Sequence, residues 1–128
     1  KSTVMNIIGE NLIKGRDLII IDDMIDTAGT LCSASNILDQ KGAKSIYACA
    51  THGIYSADAI QNINNSALTK VIVTDSIYLD ENKSGATDRI KVLPIAGLIA
   101  DAIERIHEDR SVSPLFMDAN SNHIIGLE

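Results

Sequence analysis

The chain contains, between residues 17 and 31, the segment Asp17-Leu18-Ile19-Ile20-Ile21-Asp22-Asp23-Met24-Ile25-Asp26-Thr27-Ala28-Gly29-Thr30-Leu31. It begins with a run of apolar, mostly β-branched residues, which predicts a strand that is buried on both faces. Asp22 and Asp23 end this strand, and a loop of small and polar residues follows at 26–30. Apolar residues at helical spacing come next. The segment therefore predicts a strand, a loop and the start of a helix.

The loop at 26–30 has the properties of an anion site. Successive backbone N–H groups, two threonine hydroxyls and the positive end of the helix dipole all favour a phosphate there. Ala28 and Gly29 carry little or no side chain, so a phosphate can approach the backbone. The carboxylates of Asp22 and Asp23 suit neighbouring sugar hydroxyls or a magnesium ion instead. From its residues, this segment predicts a site for a phosphorylated sugar.

Length, charge and composition limit the classes of function. The 128 residues fit one domain or a large piece of one, and 45% hydrophobic residues suffice for a core. A net charge of −6 without a basic stripe argues against a nucleic-acid partner. No signal peptide or membrane-span-length run is visible, so we expect a cytoplasmic protein without a membrane partner. Cys32 and Cys49 are expected to be reduced core residues.

Predicted strands and helices alternate along the chain, which is typical of a parallel α/β sheet. Strands are predicted at 18–22, 45–51, 71–74 and 90–93, and residues 4–8 form an apolar segment whose type the pattern leaves open. Helices are predicted at 30–40, at 57–63 with Ser56 as N-cap, and at 95–106 with Pro94 in the first turn. A polar loop is predicted at 81–88.

Polar clusters follow three of the predicted strands. They are Asp22-Asp23, Thr51-His52-Gly53 and Thr74-Asp75-Ser76. Because ligands bind beyond the carboxyl ends of strands in open parallel sheets, Thr74, Asp75 and Ser76 are candidates for lining the sugar pocket. The same residues could equally be loop caps, and His52 is more typical of a turn than of a catalytic base.

Several segments resemble, in the same order, those of one enzyme family. They are residues 4–10, 15–17, 22–31, 51–53, 63–66 and 74–77, and the closing helix with Ser111-Val112-Ser113 beyond it. Together they resemble ribose-phosphate diphosphokinase, also called phosphoribosyl-pyrophosphate (PRPP) synthetase. The loop by itself is similar to the PRPP loop of type I phosphoribosyltransferases as well.

The resemblance implies a parallel-sheet, Rossmann-like phosphoribosyltransferase fold with three α/β/α layers. Residues 1–128 would be a partial C-terminal domain that lacks upstream strands and carries the ribose 5-phosphate half of the site. The implied reaction transfers the β,γ-diphosphoryl group of ATP to the 1-hydroxyl of ribose 5-phosphate with magnesium, making PRPP for nucleotide biosynthesis. The family also implies a homo-oligomer, a hexamer built from dimers.

The resemblance also implies roles for individual residues. The 5-phosphate would be cradled by Asp26, Thr27, Ala28, Gly29 and Thr30. Asp22 would hold a ribose hydroxyl, and Asp23 would contact the sugar or the metal. Because the family's ATP site and catalytic loop lie upstream of the matched segments, no catalytic residue is assigned here. The chain alone is expected to have no diphosphokinase activity.

Other interpretations of the same residues stay open. The chain could be a non-catalytic, PRPP synthetase-like regulatory subunit, a PRPP-dependent phosphoribosyltransferase, or a receiver domain, whose first strand also ends in two acids. Asp22 and Asp23 could cap nearby N–H groups, and Thr27 and Thr30 could be N-caps. The apolar stripe of the helix at 95–106 is core or a subunit contact. The last apolar group, Leu115, Phe116 and Met117, suggests an oligomer interface.

Overall fold

The computed structural model of the chain describes residues 9–80, 83 and 85–117. The chain divides into two compact units after Val92. Three predictions fall wholly or partly outside the described residues: the apolar segment at 4–8, part of the polar loop at 81–88, and the side chain of Met117.

The first unit alternates strands and helices as predicted. After a short 3-10 turn at Glu10–Leu12, its elements are β1 (Asp17–Ile25), α1 (Gly29–Gln40), β2 (Ser45–Gly53), α2 (Ala59–Asn64), β3 (Lys70–Thr74) and β4 (Ile90–Leu93), the last of which ends in the second unit. The sheet order is β1-β2-β3-β4, and β1 with β2 and β2 with β3 are parallel. The predicted parallel α/β, Rossmann-like fold is therefore confirmed, whereas its three-layer arrangement stays a prediction.

The core of the first unit lies between one face of the sheet and the two helices. Register places Ile20 beside Ala48 and Ala48 beside Val71, so these three side chains project from the same face. Leu31 of α1 and Ile63 of α2 join Ala48 and Val71 in the buried cluster. Each fully buried aliphatic side chain of this kind contributes about 1.5–3 kcal/mol. The cluster therefore fixes the helices on that face.

The prediction that the first strand is buried on both faces is wrong. Ile19 is 65% exposed and Ile21 is 82% exposed, whereas Ile20 packs against the core. Alternate residues of a strand face opposite sides of the sheet, and Ile20 shares its side with the core. A run of β-branched residues thus shows that both faces of a strand are apolar. It does not show whether another helix or strand covers each face.

The boundaries of the two helices differ from the prediction. α1 begins at Gly29, one residue early, and Gly42 follows it with φ of 84°, as expected for the residue that stops a helix. α2 begins at Ala59 rather than at residue 57, and its N-cap residue is Asp58. The prediction of Ser56 as N-cap is therefore wrong, because its hydroxyl donates to the carboxylate of Asp26 instead.

The second unit contains α3 (Ala96–His107) and α4 (Pro114–Met117). The predicted amphipathic helix is confirmed, although Pro94 precedes it instead of lying in its first turn. None of the residues of α3 is buried, so its apolar stripe is not a core in this chain, and the subunit contact stays a prediction. Phe116 is exposed and Leu115 half-buried. Among the described residues, no helix is both long and apolar enough to cross a membrane.

Candidate sugar-phosphate site

The loop between β1 and α1 has the backbone shape of an anion site. Ala28 adopts the left-handed conformation, with φ of 59° and ψ of 6°, and Gly29 begins the helix directly after it. A left-handed residue next to right-handed ones makes successive N–H groups converge, which is the geometry of anion-binding nests. Alanine in this conformation costs about 1–2 kcal/mol, so the surrounding structure must hold it there.

The N–H groups of this loop are free to bind a ligand. In the described part of the chain, no protein acceptor is recorded for the backbone N–H of Thr27, Ala28, Gly29 or Thr30. The N-cap residue of α1 is Ala28, and no side chain caps the helix. The alternative that Thr27 or Thr30 is an N-cap is therefore wrong. Their hydroxyls lie on exposed residues beside the uncapped helix start.

These groups line a cavity of about 180 Å³. Its walls are Asp22, Met24, Ile25, Asp26, Thr27, Ala28, Gly29, Thr30 and Leu31. We call residues 26–30, which are predicted to bind the phosphate, the phosphate loop. All five of them line the cavity together with Asp22, whereas Asp23, Thr74, Asp75 and Ser76 do not. The volume lies below the range of about 300–1,000 Å³ for pockets that enclose drug-sized ligands. It suits a compact anion and the part of a sugar next to it.

Asp22 and Asp23 each accept a hydrogen bond from the next residue along the chain. Oδ1 of Asp22 accepts the N–H of Asp23 at 2.9 Å, and Oδ1 of Asp23 accepts the N–H of Met24 at 2.8 Å. Both aspartates therefore cap nearby N–H groups in this structure, which is the alternative that the sequence left open. This capping leaves most of each carboxylate unused, because an ionised carboxylate has two oxygens and about four acceptor sites. Both residues are exposed, and Asp22 keeps acceptor capacity for a sugar hydroxyl at the cavity wall.

A magnesium site at Asp22 or Asp23 stays a prediction, because these two residues alone do not make up a complete set of metal ligands. Within residues 9–80, 83 and 85–117, no three His, Cys, Asp or Glu side chains are grouped as metal ligands. Protein sites for Mg²⁺ commonly supply one or two carboxylates, while substrate phosphates and water complete the octahedron. Asp22 at the cavity, with Asp23 beside it, matches that smaller contribution.

The polar residues at the carboxyl ends of β2 and β3 bind one another. The hydroxyl of Thr74 donates to the carbonyl of Thr51 at 2.7 Å, and the hydroxyl of Ser76 donates to the same carbonyl at 3.1 Å. Nδ1 of His52 lies 2.8 Å from the Ser76 hydroxyl. These bonds join the ends of two strands, so Thr74 and Ser76 act as loop caps here, and their role as pocket lining stays a prediction.

Five residues at the site were not predicted from the sequence to belong to it, and Ser56 was predicted only as a helix N-cap. Met24, Ile25 and Leu31 line the cavity. Ser56 and Asn62 donate hydrogen bonds to the loop at 26–30 from the side of the neighbouring strand. The register that pairs Ile25 with Gly53 is the signal that could have identified Ser56 and Asn62. Residues that closely follow Gly53 must lie beside those that follow Ile25.

The two cysteines lie apart from this chemistry. Both are free thiols, and burial raises the pKa of the Cys32 thiol. A thiol with a raised pKa stays protonated and is a poor nucleophile or metal ligand at neutral pH. Cys32 is buried in the core, as predicted, whereas Cys49 is half-buried.

Comparison with known proteins gives one consistent family. A family model described as the phosphoribosyl synthetase-associated domain matches residues 1–117. The chain is 54% identical to ribose-phosphate pyrophosphokinase 1 of Streptococcus agalactiae over 90% of this chain and 34% of that protein. It is 49% identical to ribose-phosphate pyrophosphokinase of Vibrio vulnificus over 90% of this chain and 36% of that protein.

A solved structure agrees with these relatives. The phosphoribosylpyrophosphate synthetase of Mycobacterium smegmatis superposes with a TM-score of 0.74 at 38% identity, covering 80% of this chain and 33% of that one. The chain thus spans about a third of the length of the relatives that it matches. The match over residues 1–117 is decisive: the chain belongs to the phosphoribosyl synthetase-associated domain family.

Proposed function

We propose that this chain is the sugar-phosphate-binding part of a ribose-phosphate diphosphokinase, which transfers diphosphate from ATP to ribose 5-phosphate and makes PRPP. The observation that carries the proposal is the cavity whose walls combine four free backbone N–H groups with the carboxylate of Asp22. The relatives from Streptococcus and Vibrio, which are named ribose-phosphate pyrophosphokinases, support this choice of substrate.

Each part of the cavity has a role in this proposal. The N–H groups of residues 27–30, the threonine hydroxyls and the positive end of α1 bind the 5-phosphate. Asp22 accepts a hydrogen bond from a ribose hydroxyl, and Asp23 contacts the sugar or the metal. Asp26 contributes through its backbone, because its carboxylate, which accepts the hydroxyl of Ser56, would repel a phosphate instead of binding it.

The chemistry that this part of the enzyme contributes is positioning. Diphosphoryl transfer depends mostly on alignment of the two substrates and on neutralisation of phosphate charge. By binding the phosphate end and a hydroxyl of the sugar, the cavity would fix the direction of the 1-hydroxyl toward the ATP site. Magnesium, when bound, supplies charge neutralisation on the substrate phosphates, and Asp22 or Asp23 would provide its protein ligands.

The proposal extends to the place of the chain in a longer enzyme. The resemblance, which puts the family's ATP site and catalytic loop upstream of the matched segments, supports a C-terminal portion that is catalytically incomplete by itself. Incubating the isolated chain with ATP, ribose 5-phosphate and Mg²⁺ in a coupled assay for AMP should give no turnover, and measurable turnover would contradict incompleteness. A reading frame that continues after residue 128, and not before residue 1, would contradict the C-terminal placement.

A cytoplasmic location and a homo-oligomer also belong to the proposal. The two free cysteines support a reducing compartment. The exposed apolar residues of α3 and Phe116 support a subunit contact. Light scattering on the purified protein tests the oligomer, and a monomer at every concentration would contradict it.

Titration calorimetry with three ligands tests the site itself. We expect the chain to bind ribose 5-phosphate and, more weakly, inorganic phosphate, whereas ribose should not bind measurably. Asp22→Asn should weaken binding of ribose 5-phosphate about tenfold and leave inorganic phosphate unaffected, since a charged hydrogen bond contributes about 1.5–3 kcal/mol. Asp39→Asn, on the exposed end of α1, is the matched control.

The outcomes separate the candidate functions. Equal affinity for ribose and ribose 5-phosphate, or no binding of either phosphate ligand, would refute the proposed site. Binding of ribose 5-phosphate by a full-length protein that never makes PRPP would favour the regulatory subunit. Transfer of ribose 5-phosphate from PRPP to a nucleobase would favour the phosphoribosyltransferase.

A further inference from the structure

We infer that Ser56 and Asn62 are positioning residues that hold the phosphate loop in its binding shape before the ligand arrives. They belong to a bracing segment, residues 53–62, which begins at the last residue of β2 and contains the first part of α2. The inference rests on the proposed function, because it concerns the same loop. It adds two residues that lie about 30 positions along the chain from the groups they hold.

The bracing segment occupies the carbonyl groups of three consecutive residues. The carbonyl of Ile25 accepts the N–H of Ile54 at 2.9 Å and that of Tyr55 at 3.2 Å. The carbonyl of Asp26 accepts the N–H of Ser56 at 3.2 Å. The carbonyl of Thr27 accepts the side-chain amide of Asn62 at 3.1 Å.

This pattern explains why the loop N–H groups are free. In a planar trans peptide, the carbonyl of one residue and the N–H of the next point in opposite directions. When the carbonyls of Asp26 and Thr27 are bonded to the bracing segment, the N–H groups of Thr27 and Ala28 must face away from it. The bracing segment therefore keeps these two donors turned away from itself, so that they stay available to an anion.

The hydroxyl of Ser56 has a second effect, on charge. It donates to Oδ1 of Asp26, so this carboxylate is bonded to the bracing segment. A free carboxylate on the loop would repel a bound phosphate, since like charges a few ångströms apart repel even in water. The hydrogen bond from the Ser56 hydroxyl holds the charged side chain of Asp26 in one position, while the backbone of Asp26 keeps its part in the shape of the loop.

Close packing defines the backbone path at the start of the bracing segment. Tyr55 has φ of 52° and is 1% exposed, and its ring lies directly against Gly53. A Cβ atom at residue 53 would come within 2.5 Å of Cε2 of that ring, so only glycine fits. Because Gly53 and Tyr55 fix the path of the backbone, Ser56 and Asn62 are presented to the loop in a defined position.

Alanine substitutions with matched controls test the inference. Ser56→Ala and Asn62→Ala should each weaken binding of ribose 5-phosphate and of inorganic phosphate about fivefold to tenfold, the effect of one lost hydrogen bond. Ser45→Ala is the control for Ser56, because its hydroxyl also donates to a carboxylate, that of Asp17, at the opposite end of β1. Asn65→Ala, just beyond α2, is the control for Asn62. Neither control should change affinity.

Conservative variants separate positioning from a general loss of stability. Ser56→Thr keeps the hydroxyl and should restore affinity. Asn62→Asp keeps the shape, loses the donor and adds a negative charge, so it should bind at least as weakly as Asn62→Ala. Affinities are measured at a temperature at which thermal melts show every variant folded. If the wild type binds and Ser56→Ala and Asn62→Ala bind equally well, the inference is wrong and the proposed function stands. If the wild type binds neither phosphate ligand, the proposed function itself fails.

Discussion

Replacing Tyr55 by phenylalanine should stabilise the protein. The Tyr55 hydroxyl is buried and has no hydrogen-bond partner among the described residues. Leaving such a group unpaired costs about 1–3 kcal/mol, and removing one oxygen atom from a packed site loses about 0.5 kcal/mol of contacts. We therefore expect the free energy of unfolding of Tyr55→Phe to be about 1 kcal/mol higher than that of the wild type at neutral pH.

The same substitution should change the response to alkaline pH. Burial raises the pKa of Tyr55 above its ordinary value of 10.0, so the folded state keeps the phenol neutral. No stability is lost below the unfolded pKa, and stability then falls as pH rises from the unfolded pKa toward the folded pKa, because over that range only the unfolded chain ionises. At about pH 11 the wild type should have lost about 1 kcal/mol more than Tyr55→Phe.

Urea unfolding followed by circular dichroism measures both effects. Tyr78→Phe is the matched control, because Tyr78 is 80% exposed, and it should change stability by less than about 0.5 kcal/mol. The reasoning is refuted if Tyr55→Phe is clearly less stable than the wild type at neutral pH. It is also refuted if the two proteins lose stability in parallel between about pH 9 and pH 11.

Three further substitutions test the backbone and the loop contacts, each by urea unfolding. Gly53→Ala should cost about 2–4 kcal/mol, because the added methyl group overlaps the ring of Tyr55, and an unchanged stability would contradict the close contact. Ala28→Gly should change stability by less than about 1 kcal/mol, because relief of the positive φ is offset by the flexibility of glycine when unfolded and by the loss of a buried methyl group; a loss well above that value would count against the left-handed conformation. Arg89→Lys should cost about 2 kcal/mol, because the two hydrogens of one guanidinium nitrogen are shared among the carbonyls of Ile63, Ser66 and Leu68, and a neutral effect would show that these bonds are not made.

The elements of the first unit could be predicted because their signals are local. β-branched runs, helical spacing and Gly42 after α1 are properties of a few consecutive residues, and tertiary packing reinforced them here. The phosphate loop was predictable for the same reason, since the strand, the small residues and the helix start are contiguous from 17 to 31. Its converging N–H groups follow from a single left-handed residue, Ala28.

Features that depend on distant neighbours could not be predicted in this way. Ile19 and Ile21 are as apolar as Ile20, and only the position of the helices distinguishes them. Ser56 precedes a helix and so has the local signature of an N-cap, yet Asp26, 30 residues earlier, is the acceptor of its hydroxyl. Local preference predicts that the hydroxyl of Ser56 caps its own helix. In the structure, the parallel pairing of β1 with β2 brings it to the loop that follows β1 instead.

The pairing of these two strands connects the fold with the proposed function. A loop that binds an anion through backbone N–H groups must keep several of them unpaired when empty, and an unbraced chain would rotate them to internal acceptors or to water. Ile25 opposite Gly53 places the bracing segment where it occupies the loop carbonyls, so this rotation would break hydrogen bonds at Asp26 and Thr27. The cost of ordering the loop is then met during folding, and more of the phosphate's interaction energy remains for affinity. A parallel sheet makes this possible because the carboxyl ends of adjacent strands lie on one edge. There the segment that follows one strand can order the loop that follows its neighbour.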